Sequence, residues 1–407
     1  MKFLIRLFII VPLVVVTVTA AAQTPCDTIT GLYCKSIVAD TVFNPFVTGV
    51  LGNWRANRSY TYYARRTEQD PASQTNIRKD GTFNDFTAFW AFQSNQLKAA
   101  PDTNRWVWNS EITMFNRRGA ELENRDPLGR YNASLYGYSL TMPVAVIQNS
   151  RYRESAFEGF EDYVFNTKLC DTACAPTRHW DFSMHQARID TAQAHTGLRS
   201  LKVPSGQQVN ISFLMVPAGK DSAMPRLKFM TKPDNCLGTV LQKVSADSAI
   251  VLPSFSPAPA TRMLMSVWVK EVGPDSLYER YTQNKVMLTY GSTGLTFYPA
   301  GPIIEGWQRY EGVFTTRPDL GSMTVSLQSI GTNTVYFDDL RIHPYNANMK
   351  SFVFHPVNLR LLAELDENNY ATMYEYDDEG TLIRLKKETQ RGIKTIKETR
   401  SALVKEN

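Results

Sequence analysis

The sequence predicts a mainly β protein. Three observations carry this. Of 407 residues, 12% are aromatic, and such rings suit a pleated surface. Twenty-two Gly and 21 Pro punctuate the chain at short intervals. Apolar and polar residues also alternate with a period of two. Met263, Met265, Val267 and Val269 fall on one face, and Leu264, Ser266, Trp268 and Lys270 on the other.

The length suits two domains with short ends and is ample for sizeable cores. The formal charge of +5 arises partly near the N-terminus and partly from Arg384 onward. The body is mixed in sign, which argues against a nucleic-acid surface.

Residues 1–22 read as a secretory signal peptide. Lys2 and Arg6 give the positive start, Phe8 to Val18 the apolar centre, and Ala20-Ala21-Ala22 the cleavage pattern. The apolar run is short for a membrane anchor. Pro25 before Cys26 stands where a lipoprotein signal has a small residue. No second long apolar run follows, so no transmembrane segment is expected in the mature chain. The protein is expected to be secreted or at the cell surface. In an exported chain, cysteines read first as disulfides. The local pairings are Cys26 with Cys34 and Cys170 with Cys174, leaving Cys236 over. Cys170, Cys174, His179 and His185 can also be written as a zinc set, with shorter Cys-to-His spacing than a finger has.

Residues 23–43 form a lead-in, and 44–150 a β-rich domain. Ser59 to Tyr63, Trp106 to Phe115 and Tyr131 to Tyr138 are strand-like. Phe83, Phe86, Phe89, Trp90 and Phe92 have near-helical spacing and predict a short amphipathic helix with a core-facing stripe. A short linking helix is predicted over 145–156. Residues 151–345 form a second domain in which 237–260 departs from the compact pattern as a loop insertion. A connector spans 346–369, and the segment 370–407 ends in a charged tail. Ile393, Ile396 and Leu403 are the tail's apolar points, consistent with a second hairpin strand.

Two stretches share one pattern. Tyr376-Asp377-Asp378-Glu379-Gly380 and Phe115-Asn116-Arg117-Arg118-Gly119 each run aromatic, Asx, two polar residues, Gly. The Asx side chain can bond the following backbone, and Gly can take positive φ. A further turn is expected at Asp126-Pro127-Leu128-Gly129. The motif Tyr376-Asp377, Gly380, Leu382 resembles one unit of the tyrosine-aspartate (YD) repeat of the RHS family, whose units normally come in arrays. With its neighbouring segments, the chain is similar to exported RHS-associated proteins of the Bacteroidetes type. That resemblance implies a C-terminal YD-type β-hairpin and an RHS/YD-repeat protein as partner.

The second domain carries five signals in order: Phe157 to Asp162, Ala194 to Val203, Met265 to Lys270, Gly306 to Tyr310, and Val335 to Ile342. These resemble the β-jelly-roll carbohydrate-binding modules, implying a central jelly-roll sandwich and a polysaccharide partner. The resemblance also implies a structural Ca²⁺ on Glu161 and Asp339, completed by backbone carbonyls near Gly197. Trp268 faces away from the apolar side of its strand and is expected to be a platform for a sugar ring, joined by Tyr290 and Tyr298.

Catalysis finds no motif. There is no Gly-x-Ser-x-Gly elbow, His-Glu-x-x-His pair or phosphate-binding glycine loop, and no recognisable glycosidase carboxylate pair. The expectation is a non-catalytic exported protein that binds a glycan or surface polymer. The alternative is a structural accessory of an RHS-type surface or toxin-delivery assembly.

Overall fold

A computed structural model describes residues 56–63, 87–94, 96–116, 118–165, 178–217, 227–234, 238–246, 253–273, 280–319 and 321–399. The expected signal peptide and lead-in, and all five cysteines with their expected pairings, lie outside these residues.

The chain is mainly β, and its sheets are antiparallel throughout. One ten-stranded sheet is a meander. In spatial order it contains β1 (Arg58–Tyr62), β4 (Trp106–Phe115), β5 (Glu121–Arg125), β6 (Tyr131–Gly137), β7 (Met142–Gln148), β20 (Asn348–Phe354), β21 (Leu361–Leu365), β22 (Ala371–Tyr376), β23 (Leu382–Thr389) and β24 (Gly392–Glu398). Neighbours follow one another along the chain except at two places, between β1 and β4, where a separate two-stranded ribbon intervenes, and at the centre. There β7 pairs with β20, with Met349 opposite Ile147. The chain therefore leaves the meander after β7, builds a second domain, and returns about 200 residues later to the adjacent position (a separation fixed by the 147–349 pairing). The flanks that resemble one another in sequence share a single sheet.

The repeated turn pattern has a physical counterpart. Asn116 Oδ1 accepts the backbone N–H groups of Arg118 and Ala120, both at 2.9 Å. Asp126 does the same for Leu128 and Arg130, Asp366 for Asn368 and Tyr370, and Asp377 for Thr381. Three positions beyond each, Gly119, Gly129, Asn369 and Gly380 take φ of 86°, 77°, 65° and 90°. The side chain substitutes for a backbone acceptor, and the left-handed residue lets the strand reverse. A Cβ on Gly380 would run into the Arg360 guanidinium. We expect Gly380→Ala to destabilise by about 1–2 kcal/mol, read as a lowered urea midpoint with unchanged slope.

The inserted domain is a sandwich. One layer contains β11 (Gln208–Leu214), β18 (Ser322–Ser329), β15 (Asn284–Tyr290) and the start of β16 (Thr293–Ile304). The other contains the end of β16, β17 (Trp307–Thr315), β14 (Arg262–Val272), β19 (Thr334–Pro344), β10 (Ser200–Val203) and β9 (Ile189–Asp190). The short opening strand β8 (Ala156–Glu158) pairs with β19. β16 passes from one layer to the other between Phe297 and Tyr298. Met263, Met265, Val267 and Val269 face Val286, Leu288, Met323, Val325 and Leu327 in one core. The alternation in β14 thus marks its inner face, as the sequence indicates. The meander has its own core, in which Leu135, Ile147, Met349 and Leu365 pack with Tyr152 and Phe157 from the start of the inserted domain.

Three local expectations are corrected. Trp90–Gln93 (β2) is a strand paired with Gln96–Ala99 (β3), not part of a helix. Aromatic side chains lose rotamer freedom on a helix, and Phe89 is drawn onto Tyr60 and Trp106 at 4.8 and 5.4 Å. Phe83 and Phe86 lie outside the described residues. Residues 145–148 end β7 rather than open a linking helix. Ala145 and Ile147 are buried while Val146 is 41% exposed, a period of two. Within the proposed loop insertion, Gly238–Ala246 (β13) pairs with Leu227–Asp234 (β12) as a two-stranded ribbon in a separate compact unit. Its run Thr-Val-Leu-Gln-Lys-Val is strand-prone.

Candidate functional site

The outer faces of the two sandwich layers differ in kind. The face formed by β17, β14 and β19 is covered. The turn Asp366–Tyr370 and the strands after it lie across it. Trp268 is 0% exposed, and its Nε1 donates to the Asn369 carbonyl at 2.8 Å. The Asn369 amide donates to Ser266 Oγ at 3.2 Å and to the Asp339 carbonyl at 3.1 Å. Arg341 donates to the Asp366 carbonyl at 2.6 Å, and Arg309 to that of Asn368. Trp268, Ile304, Trp307 and Tyr336 form a small core with Tyr370 and Ile393.

At its centre lies His195, from the loop before β10. Its ring stacks on Trp268 at 4.1 Å with an 18° tilt. Nδ1 is 2.7 Å from Asp339 Oδ2, and Nε2 is 3.0 Å from Glu388 Oε1 on β23. Thr196 Oγ1 donates to both Asp339 oxygens at 2.9 Å. The Ala371 N–H donates to Glu388 Oε2 at 3.0 Å. Burial alone would push the imidazole down. The Glu388 and Asp339 carboxylates outweigh it and hold His195 up at about 9. The ring therefore lies between two carboxylates that favour its protonated form, one on the sandwich and one on the meander. Asp338 is raised by burial and by the neighbouring Asp339 charge, and its Oδ2 accepts the His195 N–H at 2.8 Å.

This arrangement corrects the reading of Trp268 as a sugar platform. The residue does face away from the sandwich core, but the meander occupies that side. Tyr290 is half-buried, packs against the sandwich core, and lies under the Arg317 guanidinium at 5.3 Å. Tyr298 is 65% exposed. The three rings do not converge.

Glu161 and Asp339 are neighbours, yet their oxygens face donors. Both Asp339 oxygens are held by His195 and Thr196. Glu161 Oε1 accepts the N–H groups of Leu198 and Arg199 at 2.5 and 2.7 Å. Near Gly197 the backbone offers Glu161 hydrogens, whereas Ca²⁺ needs oxygens. Of the four oxygens of these two carboxyls, Glu161 Oε2 is the one buried without a partner, and burial lifts this carboxyl to about 7. As arranged, these groups do not fit a calcium shell. Among the described residues no group of three or more His, Cys, Asp or Glu side chains could hold a metal. His179 bonds the Ser155 and Pro253 carbonyls and His185 the Asn210 carbonyl.

The opposite outer face carries the ligand-type groups. Along β11, Val209 and Phe213 are buried, while Gln208, Asn210, Ser212 and Leu214 are exposed. Their cross-strand partners are Gln328, Ser326, Thr324 and Ser322 on β18, then Lys285, Met287 and Thr289 on β15. Directly opposed residues share a face, so hydroxyls and amides are set there together with Lys285, Met287 and the exposed Leu214, while Ser326 is buried. Thr296 and Tyr298 project from β16 at its border, on either side of core-facing Phe297. At one end lies a depression of about 320 Å³ lined by Gly206, Gln207, Gln208, Gln328, Ser329 and Ile330. The sequence reading missed this face. Its signal was present in the alternation Gln208-Val-Asn-Ile-Ser-Phe-Leu214, which has no aromatic on the polar side to draw attention.

No family model matches the chain, and no curated protein matches it. Among solved structures it is similar to a family 16 carbohydrate-binding module, at 16% identity over 38% of this chain and 82% of that one, with a TM-score of 0.20. A xylan-binding domain of family 22 matches at 13% identity over 38% and 80%, with a TM-score of 0.21. The family 22 and catalytic modules of Clostridium thermocellum xylanase 10B, solved with xylohexaose, match at 12% identity over 38% and 29%, with a TM-score of 0.18. Each of these three structures is, or contains, a carbohydrate-binding module, at scores too low to transfer a ligand.

Proposed function

We propose that the protein is a non-catalytic binding protein whose sandwich takes a neutral polysaccharide on the open face of β11, β18, β15 and β16. One observation carries this reading. The depression of about 320 Å³ at the end of that face is within the size range of small-ligand sites. It is lined by Gln207, Gln208 and Gln328, the last with its Nε2 donating to Ser326 Oγ at 2.9 Å, beside the apolar Ile330, which is 56% exposed. An amide donates and accepts at once, matching adjacent sugar hydroxyls, and Ile330 offers a surface for the C–H side of the ring. The face positions of β11, β18 and β15 include no carboxylate, whereas glycoside hydrolysis uses two.

Native electrophoresis through gels containing xylan, glucan or mannan tests this. We expect retardation of the wild type by at least one polymer, and its loss in Gln208→Ala/Gln328→Ala at unchanged melting temperature. The reading fails if none of these polymers retards the wild type, or if the double variant is retarded equally.

A structural reading is favoured by a different observation. The sandwich is an insertion in a continuous sheet, fixed by β7–β20 pairing and by His195, so the sheet can serve as a frame that presents the sandwich to a surface assembly.

A further inference from the structure

The opening motif Phe157 to Asp162 also borders a cleft of about 60 Å³, shared with β6, β7 and β20 and with Arg178 to Trp180. Its walls are largely aromatic, with Tyr138, Phe157, Phe160 and Trp180 among them. Glu158, Glu161 and Asp162 line it too, and their partners differ. Asp162 is answered by a cation. It pairs with Arg178, whose guanidinium lies over the Tyr163 ring at 3.7 Å, and its Oδ2 accepts the Tyr138 N–H at 3.0 Å. Glu158 is held by neutral donors, the Phe160 N–H at 2.7 Å and the Tyr163 hydroxyl at 2.9 Å. Glu161 is 4% exposed, its Oε1 taken by two backbone N–H groups and its Oε2 buried without a partner. Among the described residues no lysine, arginine or histidine forms an ion pair with Glu158 or Glu161, and burial keeps the adjoining His179 neutral, down at about 4.

From this we infer that the cleft binds a small organic ammonium ion, its N–H groups on Glu161 Oε2 and its carbons against the rings. Three features select that occupant. The cleft carries more carboxyl groups than cations, and a buried carboxylate without a counter-charge is costly. An ammonium supplies donor and charge together. Aromatic faces attract cations, as Arg178 over Tyr163 shows in the same cleft. The volume has room for about four water-sized groups, which fits an ammonium head with a short carbon chain and excludes a sugar ring. Calcium asks for six or more oxygens, whereas one carboxylate oxygen and the ring faces serve an ammonium. Trp180 Nε1, also buried without a partner, is a donor and can take a hydroxyl or water that accompanies the ion. This inference is independent of the open sandwich face.

The test is thermal melting of the full chain at pH 8, in methylammonium chloride against sodium chloride at equal ionic strength, with methanol as the neutral analogue. Saturation-transfer NMR from the protein's aromatic protons to the methyl group of methylammonium reads the same contact directly. Methylammonium should raise the melting temperature saturably and receive saturation, and sodium and methanol should do neither. Glu161→Gln keeps an acceptor for the Leu198 and Arg199 N–H groups but loses the charge. It should bind methylammonium at least tenfold more weakly, as for the loss of one hydrogen bond to a charged group. Should that variant fail to fold, the wild-type comparison of methylammonium with methanol and sodium still decides. The inference is overturned if methylammonium stabilises no more than sodium or methanol does, if its methyl group receives no saturation, or if a folded Glu161→Gln responds like wild type.

Discussion

His195→Ala should be among the most destabilising single substitutions in this chain. Removing the ring leaves the buried Asp339 and Glu388 carboxylates facing one another without the cation between them. Breaking a buried ion pair from one side costs about 3–5 kcal/mol. Denaturant unfolding should show that loss, with the C-terminal strands β22 to β24 gaining hydrogen exchange first, since Glu388 is a buried polar tie between them and the sandwich, beside the apolar contact of Ile393. The pH dependence has a definite sign. The folded-state value of His195 is raised to about 9, above the ordinary value of about 6.5, so the folded state binds the proton more tightly. The contribution is complete below about 6.5 and is lost as pH rises through 9. Glu158 and Glu161, held up at about 8 and 7 chiefly by burial, also titrate on the approach. The difference between wild type and His195→Ala isolates the histidine. A stability difference that stays flat from pH 6 to pH 10 would contradict a charged His195.

Trp268→Ala should be nearly as costly, and for a different reason. The side chain is fully buried beneath the Asp366–Tyr370 turn, stacks on His195, and donates to Asn369. Truncating a buried Trp costs about 3–5 kcal/mol, and here the Asn369 carbonyl also loses its donor. The expected phenotype is lowered stability with polysaccharide retention intact at temperatures where the variant is folded. Retention abolished in a folded Trp268→Phe variant would return the ligand to the covered face.

The two outcomes show which parts of this molecule a sequence can disclose. The alternation in Met263–Lys270 assigns Trp268 to the outer side correctly, because strand periodicity is local. What covers that side is not local, since the covering carbonyl belongs to Asn369, about 100 residues on. The turn pattern at Asn116 and Asp377 is likewise legible, because each turn closes on its own side chain. The joining of the two flanks is not, because it depends on β7 meeting β20 across the whole sandwich. Glu161 and Asp339 are adjacent as the family resemblance implies, but His195 and Thr196 turn Asp339 into a hydrogen-bond acceptor. No spacing rule foresees that the histidine would also reach Glu388, 193 positions away. The RHS resemblance, made on Tyr376-Asp377, Gly380, Leu382 and the order of segments, is supported by no comparison, and the turns it cites help build a sheet of ten strands by ordinary hairpin chemistry.

Hydrogen exchange with and without a retarding polysaccharide tests the account most directly. Ligand-dependent protection is expected in peptides from β11, β18 and β15, around Gln208, Asn210 and Gln328, with β14 and the Asp366–Tyr370 turn unchanged. Protection confined to β14 and that turn, or an unaltered exchange pattern at saturating polymer, would contradict it.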